Sequence, residues 1–179
     1  PAIMYTGSGA ISLLLAPGEK TNIFINQREI CRRQSKLHRE KKSDEANVYY
    51  GGYLAGLSAE INKLNFQTEI DSDYPLFIQE LKDKNAEEVK AYILEKQQSK
   101  LREIENLKAT KACKAVLHNA VNASAASLLM FVPQIVQRVH IVNYKLEGEA
   151  SKEYVKNNPV QLPDNFYDLL KDFSNLNTP

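Results

Sequence analysis

Cationic side chains are concentrated where a polyanion would need them. Residues 26–42 hold Arg28, Arg32, Arg33, Lys36, Arg39, Lys41 and Lys42 against Glu29 and Glu40, a local charge of +5. Each of Arg28, Arg32, Arg33, Lys36 and Arg39 can neutralise a phosphate, which makes this segment the candidate nucleic-acid-binding element. Tyr49, Tyr50 and Tyr53 follow it closely and have the ring faces that stacking on bases requires. The competing reading is a solvated helix face that matches acidic surface elsewhere. The whole-chain balance of 23 basic against 22 acidic residues favours that second reading, because a field summed over the chain is close to zero.

Other constellations are weaker. His38, His118 and His140, with Cys31 and Cys113, are the soft metal-ligating residues. No two of them have metal-binding spacing; Cys113 and His118 are five apart, which does not share a helix face. We therefore expect neither a metal nor another cofactor. Gly7-Ser8-Gly9 lacks the downstream Lys-Ser/Thr of a phosphate loop and the third glycine of a dinucleotide turn. Ser8 and the two cysteines have no evident base beside them, so no catalytic residue is nominated and a non-enzyme is expected. An enzyme or toxin domain stays open as a minor alternative, with perturbed titratable groups in a cleft as its sign.

The elements that must position these residues read as helices almost throughout. Asn26 and Glu29 have capping-box spacing and open a helix over 26–42. A second helix is expected over 45–70, where Tyr50, Leu54, Leu57, Ile61 and Leu64 repeat in steps of four and three. Gly52, Gly56 and Ala59 on a neighbouring face would let another backbone approach. Glycine inside a helix costs about 1 kcal/mol relative to alanine, so Gly51-Gly52 signals either tight packing or a break. Pro75 suits the first turn of a short helix over 74–83. Asn85 with Glu88 opens a long helix to about residue 111, with Val89, Ile93, Leu101, Ile104 and Leu107 on its buried stripe and Lys96-Gln97 interrupting it.

From Ala115 to Gln137 no residue is charged. Pro133 divides this run, which predicts helices over 112–131 and 134–146, with Gly148 as the stop. The run is long enough to cross a membrane, which needs about 20 residues. Its His118, Asn119, Asn122, Ser124 and Ser127 would each need a partner there, so a buried core helix is the preferred reading and membrane contact the alternative. A last short helix is expected over 165–174, in a tail that carries six acidic residues against three lysines from 147 on.

These readings combine into an all-α expectation: a helical bundle or extended helical hairpins. The expected parts are an apolar N-terminal arm over 1–25, a helical domain over 26–148 and a C-terminal tail over 149–179. The first 18 residues carry no charge, so the basic n-region of a secretory signal is missing. With only two cysteines, far apart, a cytoplasmic or virion setting is expected. The functional expectation is a structural or interaction subunit of a larger assembly, either a homo-oligomer or one of several subunits. A structural or internal protein of a phage particle is one concrete version, on layout alone. The interface candidates are Leu13 and Leu14 from the arm, with Tyr50, Gly52, Leu54, Gly56, Leu57 and Ile61 from the seven-residue seam. Nucleic-acid binding through 28–42 is the alternative.

Overall fold

Strands, rather than helices, make up most of the described part of the first fifty-two residues. The computed structural model describes residues 2–6, 9–28, 48–64 and 66–173. Strand β1 (Ala2–Thr6) pairs antiparallel with β2 (Gly9–Leu13), from Ala2 opposite Leu13 to Thr6 opposite Gly9. Strand β3 (Thr21–Ile25) pairs antiparallel with β4 (Val48–Gly52), with Ile23 opposite Tyr50 and Ile25 opposite Val48. In β3 the exposed and half-buried residues alternate, the period-two pattern of a strand with one covered face. The chain is mostly helical, but the all-α expectation is corrected by these two small sheets, and the apolar arm supplies strands β1, β2 and β3. Ile3, Tyr5 and Ile11, with Ile23, Phe24 and Ile25, are the β-branched and aromatic residues that favour this outcome.

The helix expected over 45–70 is shortened to α1 (Ala55–Leu64). Its front is taken by β4, so Tyr50 belongs to a strand and Leu54 to a turn, and the seven-residue seam is not one helical face. Gly52 is the break. Its φ is +107°, and a Cβ there would lie 2.2 Å from the Lys20 carbonyl oxygen, so no side chain fits where the two strands come together. Within the first compact unit, residues 1–66 with 109–113, the core holds Leu13 and Val48 backed by Ile23, Ile25 and Tyr50. Buried Ser58 of α1 accepts a hydrogen bond from the Leu14 amide at 3.3 Å.

The second unit comprises 67–108 and 114–179. These boundaries differ from the 1–25, 26–148 and 149–179 division expected from composition. Its first helix, α2 (Tyr74–Glu80), is capped by Asp73, whose carboxylate accepts from the Leu76 amide at 3.2 Å, with Pro75 in the first turn. The capping box of α3 (Ala86–Asn106) forms in full: Asn85 accepts from the Glu88 amide at 3.0 Å and Glu88 from the Asn85 amide at 2.8 Å. Helix α4 (Lys111–Met130) buries Cys113, Leu117, Val121, Ala125 and Leu129, a strict every-fourth-residue stripe. At Phe131 the chain bends by 74° into α5 (Val132–Asn143), with Pro133 in its first turn. Gly148 does not end a helix as expected; at φ +55° it begins α6 (Gly148–Asn157), which sequence reading missed. The last expected helix shrinks to α7 (Leu170–Phe173), preceded by turns that bring Phe166 into the core. That core centres on Phe77, Leu81, Val89, Ile93, Leu129 and Phe166.

Candidate functional site

Helices α2 and α3 flank a polar cleft of about 270 Å³. Asp73, Leu76, Phe77 and Glu80 contribute from the α2 side, and Tyr92, Lys96, Ser99, Lys100 and Glu103 from α3. The four-residue steps 92, 96 and 100 place Tyr92, Lys96 and Lys100 along one face of α3. The Tyr92 hydroxyl donates to Glu80 Oε2, and Lys96 Nζ reaches the same oxygen at 3.2 Å while lying 5.0 Å from the centre of the Tyr92 ring. Lys100 Nζ donates to the Gln67 carbonyl at 2.6 Å.

Electrostatics decide what this cluster can do. The hydrogen bond from Tyr92, helped by Lys96, holds the Glu80 carboxyl below the usual carboxylate range. Burial, then the Glu80 hydrogen bond and charge, pushes the Tyr92 phenol well above its ordinary value. General acid–base work needs values moved toward neutrality, and both groups move away from it. Glu80 is a weaker base and Tyr92 a weaker acid than in water. The contacts of Glu80 with Tyr92 and Lys96 tie α2 to α3. No histidine or cysteine lines the cleft among the described residues.

A second depression, of about 240 Å³, is apolar. Tyr74, Phe77 and Ile78 of α2 face Gln134, Ile135 and Arg138 of α5 across it, with Phe131 at the bend. Tyr74 is 46% and Phe131 54% exposed, so two aromatic rings stand at its rim. Arg138 makes no ion pair among the described residues. On the other side of α5, His140 stacks on Tyr154 of α6 at 4.1 Å and 2°, and Gln137 donates to the Asn158 carbonyl at 3.1 Å. These contacts fasten α6 to α5.

The nominated residues are placed as follows. Leu13 and Leu14 are buried inside their own unit, so they are covered without any partner. Tyr50, Leu54, Leu57 and Ile61 are half-buried, and Gly52 lies against Lys20. Gly56 is exposed, with no atom within 4 Å of where its Cβ would be, so no backbone approaches it among the described residues. Arg28 is exposed at the end of the described stretch; Arg32, Arg33, Lys36 and Arg39, like Cys31 and His38, lie outside the described residues. Of the tyrosine trio, Tyr49 and Tyr53 are exposed and Tyr50 faces the core. Burial and then the Glu60 charge raise the Cys113 thiol above its ordinary value, the direction opposite to a reactive cysteine. Among the described residues no three His, Cys, Asp or Glu side chains are placed to share a metal ion. His118 Nε2 lies 3.0 Å from Glu105 Oε1 but is not aligned for a hydrogen bond.

Both depressions escaped the sequence reading. Tyr92 and Lys96 have readable four-residue spacing, but Glu80 arrives from another helix. The apolar groove needs the 74° bend that brings Phe131 and α5 opposite α2. No family model, no curated protein and no solved structure matches this chain.

Proposed function

We propose that this chain is a non-enzymatic interaction subunit of a larger assembly, and that it self-associates through the apolar groove between α2 and α5. The observation that carries the proposal is the groove itself: an apolar floor, two exposed aromatic rims and an arginine without an ionic partner among the described residues. Tyr, Phe and Arg are enriched at protein interfaces, where apolar anchors fill pockets and the guanidinium pairs across the contact. Charge segregation supports association between copies. The first unit holds ten basic against six acidic residues and the second thirteen against sixteen, +4 against −3. In this reading α2 to α6 form a bundle that presents the groove, and a virion component is one setting for such a subunit.

A membrane role for 115–137 is less well supported. No single helix among the described residues is long and apolar enough to cross a membrane; α4 and α5 pass only together, across their bend. The buried stripe on α4 is what a core helix needs.

The test is the mass in solution of the full chain by light scattering, at low and high salt. We expect a defined oligomer of the 20.3 kDa chain. Phe131→Asp should dissociate it, because the ring is exposed and its loss leaves the fold intact. Gly56→Leu should weaken it only if the small-residue face also takes part. A monomer at both salts, with every variant unchanged, would end this reading.

A further inference from the structure

We propose that the outer face of the β3–β4 hairpin is a stacking platform for single-stranded nucleic acid, built from Phe24 and Tyr49 with Asn22 beside them and Lys20 and Arg28 just outside the two ends of β3. This goes beyond the assembly reading and uses the other unit of the chain.

The strand register sets the geometry. Ile23 with Tyr50 and Ile25 with Val48 turn toward the core, which sends Phe24 and Tyr49 to the opposite side as a cross-strand pair. Their ring centroids are 6.0 Å apart, and they are 67% and 48% exposed. Two adjacent aromatic rings on the solvent side of a sheet are apolar surface that no other described residue covers. The next cross-strand pair on this face is Asn22 with Gly51. Glycine leaves the position beside the rings without a side chain, so the Asn22 amide borders them as a hydrogen-bond donor and acceptor. Tyr53, 75% exposed, follows directly after β4.

Charge identifies the occupant. Asn22, Phe24, Tyr49 and Gly51 include no acid, and exposed Lys20 and Arg28 flank β3; Glu19 is the acidic neighbour. The other described acid of this unit, Glu60 of α1, is engaged by Thr110. The net +4 of the unit is hidden in the whole-chain value of +1 by the −3 of the other unit. Exposed rings with cations at their margins suit a polyanion that offers flat apolar faces. Unpaired bases on a phosphate backbone have both, whereas in a duplex the faces are already stacked.

The test is fluorescence anisotropy of a labelled oligothymidylate, about 20 nucleotides long, titrated with the full chain. Binding is expected at about 50 mM salt and should weaken steeply by about 200 mM. Phe24→Ala and Tyr49→Ala should each lower affinity by about tenfold or more, with unchanged circular dichroism. Phe24→Trp should bind as the parent does; the chain has no tryptophan of its own, so the indole emission of this variant reports on position 24 alone and should be quenched by the oligonucleotide. Four results would each overturn the proposal: no binding at low salt, alanine variants that bind like the parent, equal affinity for a duplex, or an indole emission in the Phe24→Trp variant that is indifferent to the oligonucleotide. Alanine variants that change the solution mass without any oligonucleotide would also overturn it, since a second copy would then be covering the rings.

Discussion

The second unit gathers Phe77, Leu81, Val89, Ile93, Leu129 and Phe166 into one extended buried core, whereas the described core of the β3–β4 region is Leu13 and Val48 leaning on half-buried Ile23, Ile25 and Tyr50. The helical unit completes its own core. In the strand unit the described residues cover one face of the β3–β4 pair and leave Phe24 and Tyr49 exposed on the other. An isolated hairpin is marginal in water, and its stability comes from what packs on its covered face. Each unit still leaves apolar surface uncovered among the described residues: Phe24 and Tyr49 on the outer face of the β3–β4 pair, and Tyr74 and Phe131 at the rim of the groove between α2 and α5.

The largest expected effect tests this contrast directly. Ile93→Ala removes a side chain with no exposure from the centre of the helical core and should cost roughly 2–5 kcal/mol in urea unfolding followed by circular dichroism. Leu13→Ala, the same kind of truncation in the strand unit, should cost about 2 kcal/mol or less, because the cluster it belongs to is small and mostly half-buried. Amide hydrogen exchange should place the Leu13→Ala effect in the strand unit and the Ile93→Ala effect across the helical one. Equal effects, or a larger one at Leu13, would remove the contrast.

A smaller effect concerns a polar pair inside the helical unit. Gln97 is only 5% exposed and donates to Asn122 Oδ1 at 2.8 Å, tying α3 to α4. Gln97→Ala leaves that oxygen without its donor and should cost about 1–3 kcal/mol, while replacing both residues with leucine should cost less than the single change. A double-mutant cycle on the unfolding free energies measures the coupling, and additive costs would show that the bond contributes nothing.

Gln97 also shows where sequence reading stops. Its position in α3 looked like an interruption of the buried stripe, because its partner is 25 residues away on another helix. Features decided within one turn of chain were legible: the Asn85–Glu88 box, the Asp73 cap with Pro75, and the division at Pro133. Features decided by distant partners were not. Tyr50 continued a helical spacing through Leu64, but pairing with Ile23 made it a strand residue, and Gly51-Gly52 was the local warning. Gly148 looked like a stop because a glycine at positive φ can end one helix or precede another. Of the nominated interface, Leu13 and Leu14 were apolar because the core of their own unit needs them, and the groove at Phe131 depends on the angle of the bend at Pro133, whereas Pro133 marks only its place.

The smallest expected effect is the dependence of the strand unit on acid. The Thr110 hydroxyl donates to Glu60 Oε2 at 2.6 Å and its amide to Oε1 at 2.7 Å, and the same hydroxyl oxygen accepts from the Cys113 amide at 3.2 Å. The hydroxyl bond first, then the amide, holds the Glu60 carboxyl below its ordinary range. The folded state therefore binds fewer protons than the unfolded chain over that interval. The contribution is fully present above the unfolded-state value and is lost as pH falls through the lower, folded-state value. As the pH falls below about 4.5, the amides of α1 and the first turn of α4 should lose exchange protection before those in the core of α3. Glu60→Gln, which cannot gain or lose a proton there, should flatten that dependence while leaving protection near neutrality slightly lower. Because Glu60 sits at the surface, the difference should also shrink in high salt. An unchanged acid profile in Glu60→Gln would assign the loss of protection to other carboxylates and detach this clip from the stability of the strand unit.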